Sequence, residues 1–218
     1  MEYYLRVEGV NIGNFVYDTQ DLSTVRGGGL LLLNSVKLLK DEINERLKVK
    51  LVDVTIGASN GLFSFKLNNG VTAEDVLQAV TKFFDEQKQL NHATFVADIV
   101  VKDDFLTNKD SLISANRWQQ MQTLSFKIDK KSDGMHGVCE FDLVTPASDK
   151  KGPSGKKISA SVFARREYGR EQKQQFYKDI LGEDKKFPEF TNDFAELSGG
   201  AEYGNLNRKI AVFYSDGN

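Results

Sequence analysis

Cysteine is nearly absent from this chain. A single residue, Cys139, stands among 218, which excludes an internal disulfide and a zinc site built on several thiolates, and fits a reducing, cytoplasmic setting. Histidine is almost as scarce, with only His92 and His136. A structural zinc site needs about four Cys/His ligands, so folding is expected to require no zinc. Long apolar runs are missing too. The longest, Leu30–Leu33, falls far short of the roughly 18 residues that would mark a membrane span. The opening MEYYLRVEG has neither a basic n-region nor an apolar h-region, so it reads as a strand and not as an export signal. No membrane partner is expected.

A large net charge is also lacking, since 29 Lys and Arg face 31 Asp and Glu for a total of −2. The balance hides an asymmetry. Between Asp149 and Lys178 nine Lys/Arg face three acidic residues, a local +6 that leaves −8 for the remainder. A basic segment of this kind fits an anionic partner, although a solvated helix face beside a lysine loop has the same composition.

What is present is a core-forming composition, 40% hydrophobic, long enough for one large domain or two small ones. Tyr3–Val16 reads as a strand with a polar continuation. Leu32, Val36, Leu39, Ile43 and Leu47 recur on one face of a helix over Leu30–Leu47, and Gly27, Gly28 and Gly29 ahead of it read as a turn that packs the helix onto the strand. Val52, Val54 and Ile56 alternate, as do Phe63, Phe65 and Leu67 beyond an Asn60-Gly61 dipeptide, the signature of a hairpin. Thr72 and Asp75 mark the N-terminus of a second amphipathic helix carrying Val76, Val80, Phe83 and Phe84. The stretch ATFVADIVV supplies a fourth strand. The order β-α-β-β-α-β predicts an α+β fold of ferredoxin-like topology, a four-stranded antiparallel sheet with helices on one face. Beyond it the pattern predicts a helix over Ser111–Leu124, a turn over Asp133–Gly137, a strand over Val138–Val144, a lysine-rich loop at Lys150–Lys157, one helix over Arg165–Leu181 and a final strand in NRKIAVFYSDGN.

A fold this common names no function, so the sites must. Palm enzymes of this topology hold two Mg²⁺ ions on carboxylates from the first strand and the β2–β3 hairpin tip. Here the tip residues Gly57, Ala58, Ser59 and Asn60 are neutral, and Glu8 on the first strand could still bind a cation, although a lone surface carboxylate is more often a solvated side chain. Asp98 reads as an outward or hydrogen-bonded strand residue. The phenylalanines at 63, 65, 83 and 84 have core spacing, whereas a base-stacking platform would need some of them exposed. On a helix beginning near Arg165, residues Arg166, Arg170 and Lys173 share a face that could meet phosphates.

Several segments carry a resemblance. Glu8–Tyr17 followed by LSTVRGGGLLLL (Leu22–Leu33) resembles, in order and spacing, the opening of the first palm domain in the large subunit of type III CRISPR effector complexes. IGASNGLFSF is similar to the glycine-rich neutral tip of that non-catalytic palm, CEFDLVTPAS and SASVFARREYGREQKQQFY are similar to the segment between the two palms, and IAVFYSDGN to the strand opening the second, catalytic one. Many members carry a CxxC-type zinc site between the palms, where this chain has only Cys139. The resemblance implies a degenerate palm over 1–105, a linking region with a basic helix over 106–208, and the first strand of a second palm over 209–218, as in a piece of a longer protein. It implies a non-catalytic scaffold contacting RNA and other protein subunits of a ribonucleoprotein, with Arg26, Arg165, Arg166, Arg170 and Lys173 as the expected RNA contacts and no cofactor. The alternatives are a palm-type nucleotidyltransferase or cyclase using Mg²⁺ on Glu8 and Asp216, and a separate ferredoxin-like RNA-binding protein.

Overall fold

Alternation and helix caps in the first hundred residues become secondary structure in the expected order. A computed structural model describes residues 1–68, 70–124, 127, 136–182 and 198–209. Strand β1 (Glu2–Val10) is followed by a single helical turn, α1 (Gly13–Val16), and a long helix, α2 (Leu22–Leu47). Then come β2 (Val52–Ile56), β3 (Asn60–Lys66), α3 (Ala73–Glu86), β4 (Thr94–Val101) and α4 (Phe105–Gln122). The strands form one sheet in the order β2-β3-β1-β4 with every neighbouring pair antiparallel. This is the ferredoxin-like α+β arrangement.

Register decides what each face of the sheet does. Leu5 lies opposite Phe63 and Ile99, and Val7 opposite Gly61 and Ala97, so the odd-numbered positions of β1 and their partners build one apolar face. It meets Leu31, Val36, Leu39 and Ile43 of α2 and Val76, Val80, Phe83 and Phe84 of α3 in the main core. Each fully buried aliphatic or aromatic side chain there contributes about 1.5–3 kcal/mol. The predicted start of α3 is present as a capping box, in which the Thr72 hydroxyl accepts from Asp75 N–H and the Asp75 carboxylate takes the Thr72 hydroxyl and N–H. Those donated hydrogen bonds hold the Asp75 carboxyl below the usual range, the hydroxyl's being the larger effect.

Three expected details differ. The triple glycine is no turn. Asp21 caps α2 by accepting from Thr24 N–H at 2.9 Å, so the helix begins at Leu22 and Gly27–Gly29 lie inside it. The hairpin turn lies at Gly57–Ser59, with β3 resuming at Asn60; Gly61 instead makes room for the Val36 side chain above it. Finally, Val52 and Val54 are exposed on an edge strand carrying a bulge between Asp53 and Thr55, because Val49 and Leu51, just ahead of the strand, take the buried positions.

Two compact units divide the chain, Met1–Gln174 and Gln175–Asn218. Within the first unit helix α4, which starts six residues before the expected Ser111, packs against β1 and β4, and α5 (Ala160–Glu171) packs against α2. Ser159 starts α5 early by accepting from Val162 N–H. The single helix expected over Arg165–Leu181 is two, broken at Gln172 before α6 (Lys173–Leu181), and Gly182 follows with a positive φ as a helix-ending glycine should. Val138 makes one isolated bridge, to Pro146, in place of a strand. In the second unit a 3₁₀ segment spans Ala201–Leu206. Most of the expected turn at Asp133–Gly137 and the terminal strand from Ile210 lie outside the described residues.

The glycines of α2 answer to α5. A Cβ on Gly27 would fall inside the Arg165 carbonyl, and one on Gly169 inside the Ser23 carbonyl, so two helices cross here with backbone against backbone. Gly29 has nothing within 4 Å of its would-be Cβ. Gly27→Ala is expected to destabilise the first unit by about 3 kcal/mol, the upper end of ordinary overpacking because the obstacle is main chain. Gly29→Ala, in the same helix, should stabilise by about 0.5–1 kcal/mol through helix propensity. Denaturant titration of the two variants checks both signs.

Candidate functional site

The second face of the sheet carries the polar residues of β1. Tyr4, Arg6 and Glu8 point there together with Leu62, opposite Arg6 on β3, and Asp98, opposite Arg6 on β4. Helix α4 lies across β1 and β4 on this side and packs Leu112 against Tyr4, Leu62 and Val100. Gln119 completes the cover by donating to the Ala97 carbonyl at 2.9 Å and accepting from Ala97 N–H at 3.3 Å, which satisfies backbone groups on the outer edge of β4.

Glu8 is held there between two guanidinium groups. Arg6 Nη1 donates to Glu8 Oε2 at 2.6 Å, and Arg117 Nη2, from α4, reaches Glu8 Oε1 at 3.0 Å. The carboxylate is 13% exposed. Charge-assisted hydrogen bonds of this kind each contribute about 1.5–3 kcal/mol, and a divalent cation would have to displace both while approaching two fixed positive charges. Asp98 spends its carboxylate on the Ile99 N–H at 2.8 Å. At the hairpin tip the Gly57 N–H donates to the Asn60 carbonyl and the Gly9 N–H to the Ser59 carbonyl, both at 2.7 Å. Ser59 is buried against Gly9, which leaves only Gly57 and Ala58 fully exposed at the tip. These residues do not fit Mg²⁺. The tip offers neutral groups, Glu8 has both oxygens taken, and the other expected ligand, Asp216, lies outside the described residues. Among the described residues no three His, Cys, Asp or Glu side chains stand together as a cation site. Cys139 packs in a small apolar cluster with Ile158 and Val162, while His136 is exposed.

Of the arginines expected at an RNA surface, Arg165 is buried, Arg26 and Arg166 are half-buried and Arg170 is exposed. Arg165 is 1% exposed. Its guanidinium makes a two-pronged ion pair with Asp18, 2.7 Å on each arm, and donates to the Phe15 carbonyl. Arg26 Nε donates to the Gly169 carbonyl at 2.8 Å. Arg166 is mostly covered and lies 3.5 Å from Asp21 and 3.8 Å from Glu167. Arg165 therefore cannot meet a phosphate, and Arg26 and Arg166 are engaged in fastening α5 to α2. Arg170 is exposed, 3.4 Å from Glu167, and Lys173 is half-buried. Exposed positive charge gathers instead at Lys150, Lys151, Lys156 and Lys157. The pair Arg6-x-Glu8 was legible from strand alternation, which puts i and i+2 on one face. Arg117 and Asp18 carried no local signal, since each partner lies more than a hundred residues away.

A cleft of about 650 Å³ runs beside this joint and is lined by Tyr17, Asp18, Asp21, Glu140, Asp142 and Lys156 among others. Its acidic look is misleading. Asp18 is bound to Arg165 and Asp21 caps α2, while Asp142 accepts from Val144 N–H, Thr145 N–H and the Thr145 and Ser159 hydroxyls.

Removing one partner of a buried pair strands the other charge, at a cost of about 3–5 kcal/mol. Asp18→Ala is expected to destabilise by about 3 kcal/mol, the lower end because the carboxylate keeps some solvent. Glu167→Ala, at an exposed pair on the same helix, should change stability by less than about 1 kcal/mol. Thermal melts of the two variants make the comparison. Neither known protein-family models nor curated proteins give a match to this sequence.

Proposed function

We propose that this chain is a catalytically degenerate palm that serves as scaffold and RNA-contacting part of an RNA-guided antiviral assembly of the type III CRISPR kind, acting in the cytoplasm. The observation that carries the reading is the arrangement Arg6–Glu8–Arg117 beside a neutral hairpin tip. A palm that works on nucleotides must keep the first-strand carboxylate free for metal. Here that carboxylate is tied off, and a helix is laid across the same face of the sheet.

The ferredoxin-like topology agrees with the resemblance over the first hundred residues, and the lysines of 150–157 supply a surface for polyanions. Recognition of RNA on the open sheet, as in other ferredoxin-like modules, is disfavoured. Phe63 and Phe65 of β3 are buried in the core with α2 and α3, where Phe83 and Phe84 of α3 are buried too, and α4 occupies part of the opposite face. The RNA-contacting role therefore falls to the basic surface and not to the sheet.

Incubated with labelled ATP and Mg²⁺ or Mn²⁺, the purified chain is expected to yield no cyclic or linear oligonucleotide, yet to retain single-stranded RNA with an affinity that falls as salt rises. Turnover that disappears in Glu8→Ala would overturn the degenerate-palm reading. Failure to retain RNA at low salt would remove its RNA-contacting part.

A further inference from the structure

The segment KKGPSGKK is not a loose loop. Ser148 N–H donates to the Ile158 carbonyl and Gly152 N–H to the Lys156 carbonyl, both at 2.8 Å, and Gly155 N–H returns to Gly152 at 3.2 Å. Lys151 and Lys157 form an antiparallel bridge between these rungs. The tip Pro153–Gly155 is a 3₁₀ turn in which Ser154 and Gly155 both have positive φ, 55° and 76°. The base is held as well, because Glu140 N–H donates to the Lys157 carbonyl and Ile158 is fully buried with Cys139 and Val162. Lys150 and Lys156 lie over the rings of Phe163 and Phe141, 5.7 Å from each centroid.

This hairpin sets like charges against each other. Residues opposite one another on an antiparallel pair share a face, and like charges there are destabilising. Lys151 faces Lys157, both exposed, and among the described residues neither has a carboxylate within 4 Å. Lys150 has only Asp149, at 3.9 Å. A local rule broken without a compensating pair inside the fold is expected at functional sites, and an external anion would supply the counter-charge here.

We infer that the Lys150–Lys157 hairpin, with Lys151 and Lys157 at its centre, is a docking surface for the phosphate backbone of single-stranded RNA; the inference rests on the RNA-contacting reading above and moves its site from the α5 arginines to this hairpin. A flexible backbone can place successive phosphates on a projecting turn, and its affinity comes from the charges that the turn fixes in place. An anionic bilayer is the poorer occupant. Stable membrane attachment by a basic patch needs an apolar anchor beside it, and the tip Gly-Pro-Ser-Gly has no large apolar side chain to insert. Lys151 and Lys157, opposite each other, share one face of the hairpin, so the strand runs along that face.

The test compares the full chain with a Lys151→Gln, Lys157→Gln variant and an Arg170→Gln, Lys173→Gln variant, titrating a single-stranded oligoribonucleotide from 50 to 200 mM salt. Each lost phosphate contact should flatten the slope of log affinity against log salt by about 0.7, so the hairpin variant should flatten it by about 1.4, which shrinks the salt-induced loss over that range by about sevenfold. In the absence of RNA the same variant should melt at an equal or slightly higher temperature, since a repulsion has been removed. An unchanged slope in the hairpin variant, with flattening in the helix variant, would overturn the assignment of the surface while leaving RNA binding intact. Wild-type protein that retains no RNA would overturn the reading beneath it. Retention on phosphatidylserine vesicles with the same lysine dependence, equal to or tighter than on RNA, would overturn the choice of partner.

Discussion

A guanidinium with one hundredth of its surface in water cannot stay in a protein interior unless its charge and all its donors are answered. Arg165 is such a group, and much of the first unit follows from answering it. Asp18 supplies two oxygens and Phe15 a carbonyl, so the short segment between α1 and α2 has to be fixed beneath α5. To bring α5 that low its backbone must touch that of α2, and only Gly27 against Gly169 allows the approach. Arg26, from the next position on α2, then reaches the Gly169 carbonyl. Net stability gained from such a pair is small, because desolvation offsets the attraction. Its effect is on geometry, since other placements of α5 would leave a bare charge in the core.

The opposite side of the sheet is organised by a second charge problem of the same kind. Strand β1 places Arg6 and Glu8 on one face, half under α4, and a carboxylate there needs either a cation or donors. The chain provides donors, one from the same strand and one from the helix above. That choice fastens α4 to β1 and neutralises the position at which a nucleotide-processing palm would need free negative charge. If the proposal of a degenerate palm holds, the lost chemistry and the added helix are two consequences of one substitution of partners. On that reading a guanidinium takes the place a metal would hold, and the helix that brings it also covers the face.

How far the sequence made this legible depends on the range of the interaction. Elements decided within a few residues were readable: the Thr72–Asp75 box, the alternation of Phe63 and Phe65, and the period of Leu32, Val36, Leu39 and Ile43. Gly27–Gly29 was misread because a glycine triplet carries the same local signal for a turn and for a close helix crossing. The capping pair Asp21–Thr24 ahead of it was the clue that the helix had already begun. The burial of Arg165 had no local signal, since its partners lie about 150 residues away and composition counts a buried arginine and a surface one alike. The candidate metal site was legible in half, through the neutral tip; the fate of Glu8 depended on Arg117, which no strand pattern reveals.

The charge count illustrates the same limit from the other direction. A local +6 over Asp149–Lys178 read as one basic surface divides, in the fold, into two populations with different work. Arg165 and Arg166 lie beside Asp18 and Asp21, so they cancel part of the −8 carried elsewhere and are spent on joining α5 to α2. The lysines of the hairpin are not cancelled in this way. Lysine suits that place as arginine suits the other: a buried site rewards a planar fork that can answer a carboxylate and a carbonyl at once, whereas an exposed turn facing a mobile chain of phosphates needs strongly hydrated point charges on flexible stems. Within this basic segment Arg165 and Arg166 turn toward α2 while Arg170 and the hairpin lysines stay exposed, and on the proposed reading that exposed charge answers solvent-borne anions and not the fold.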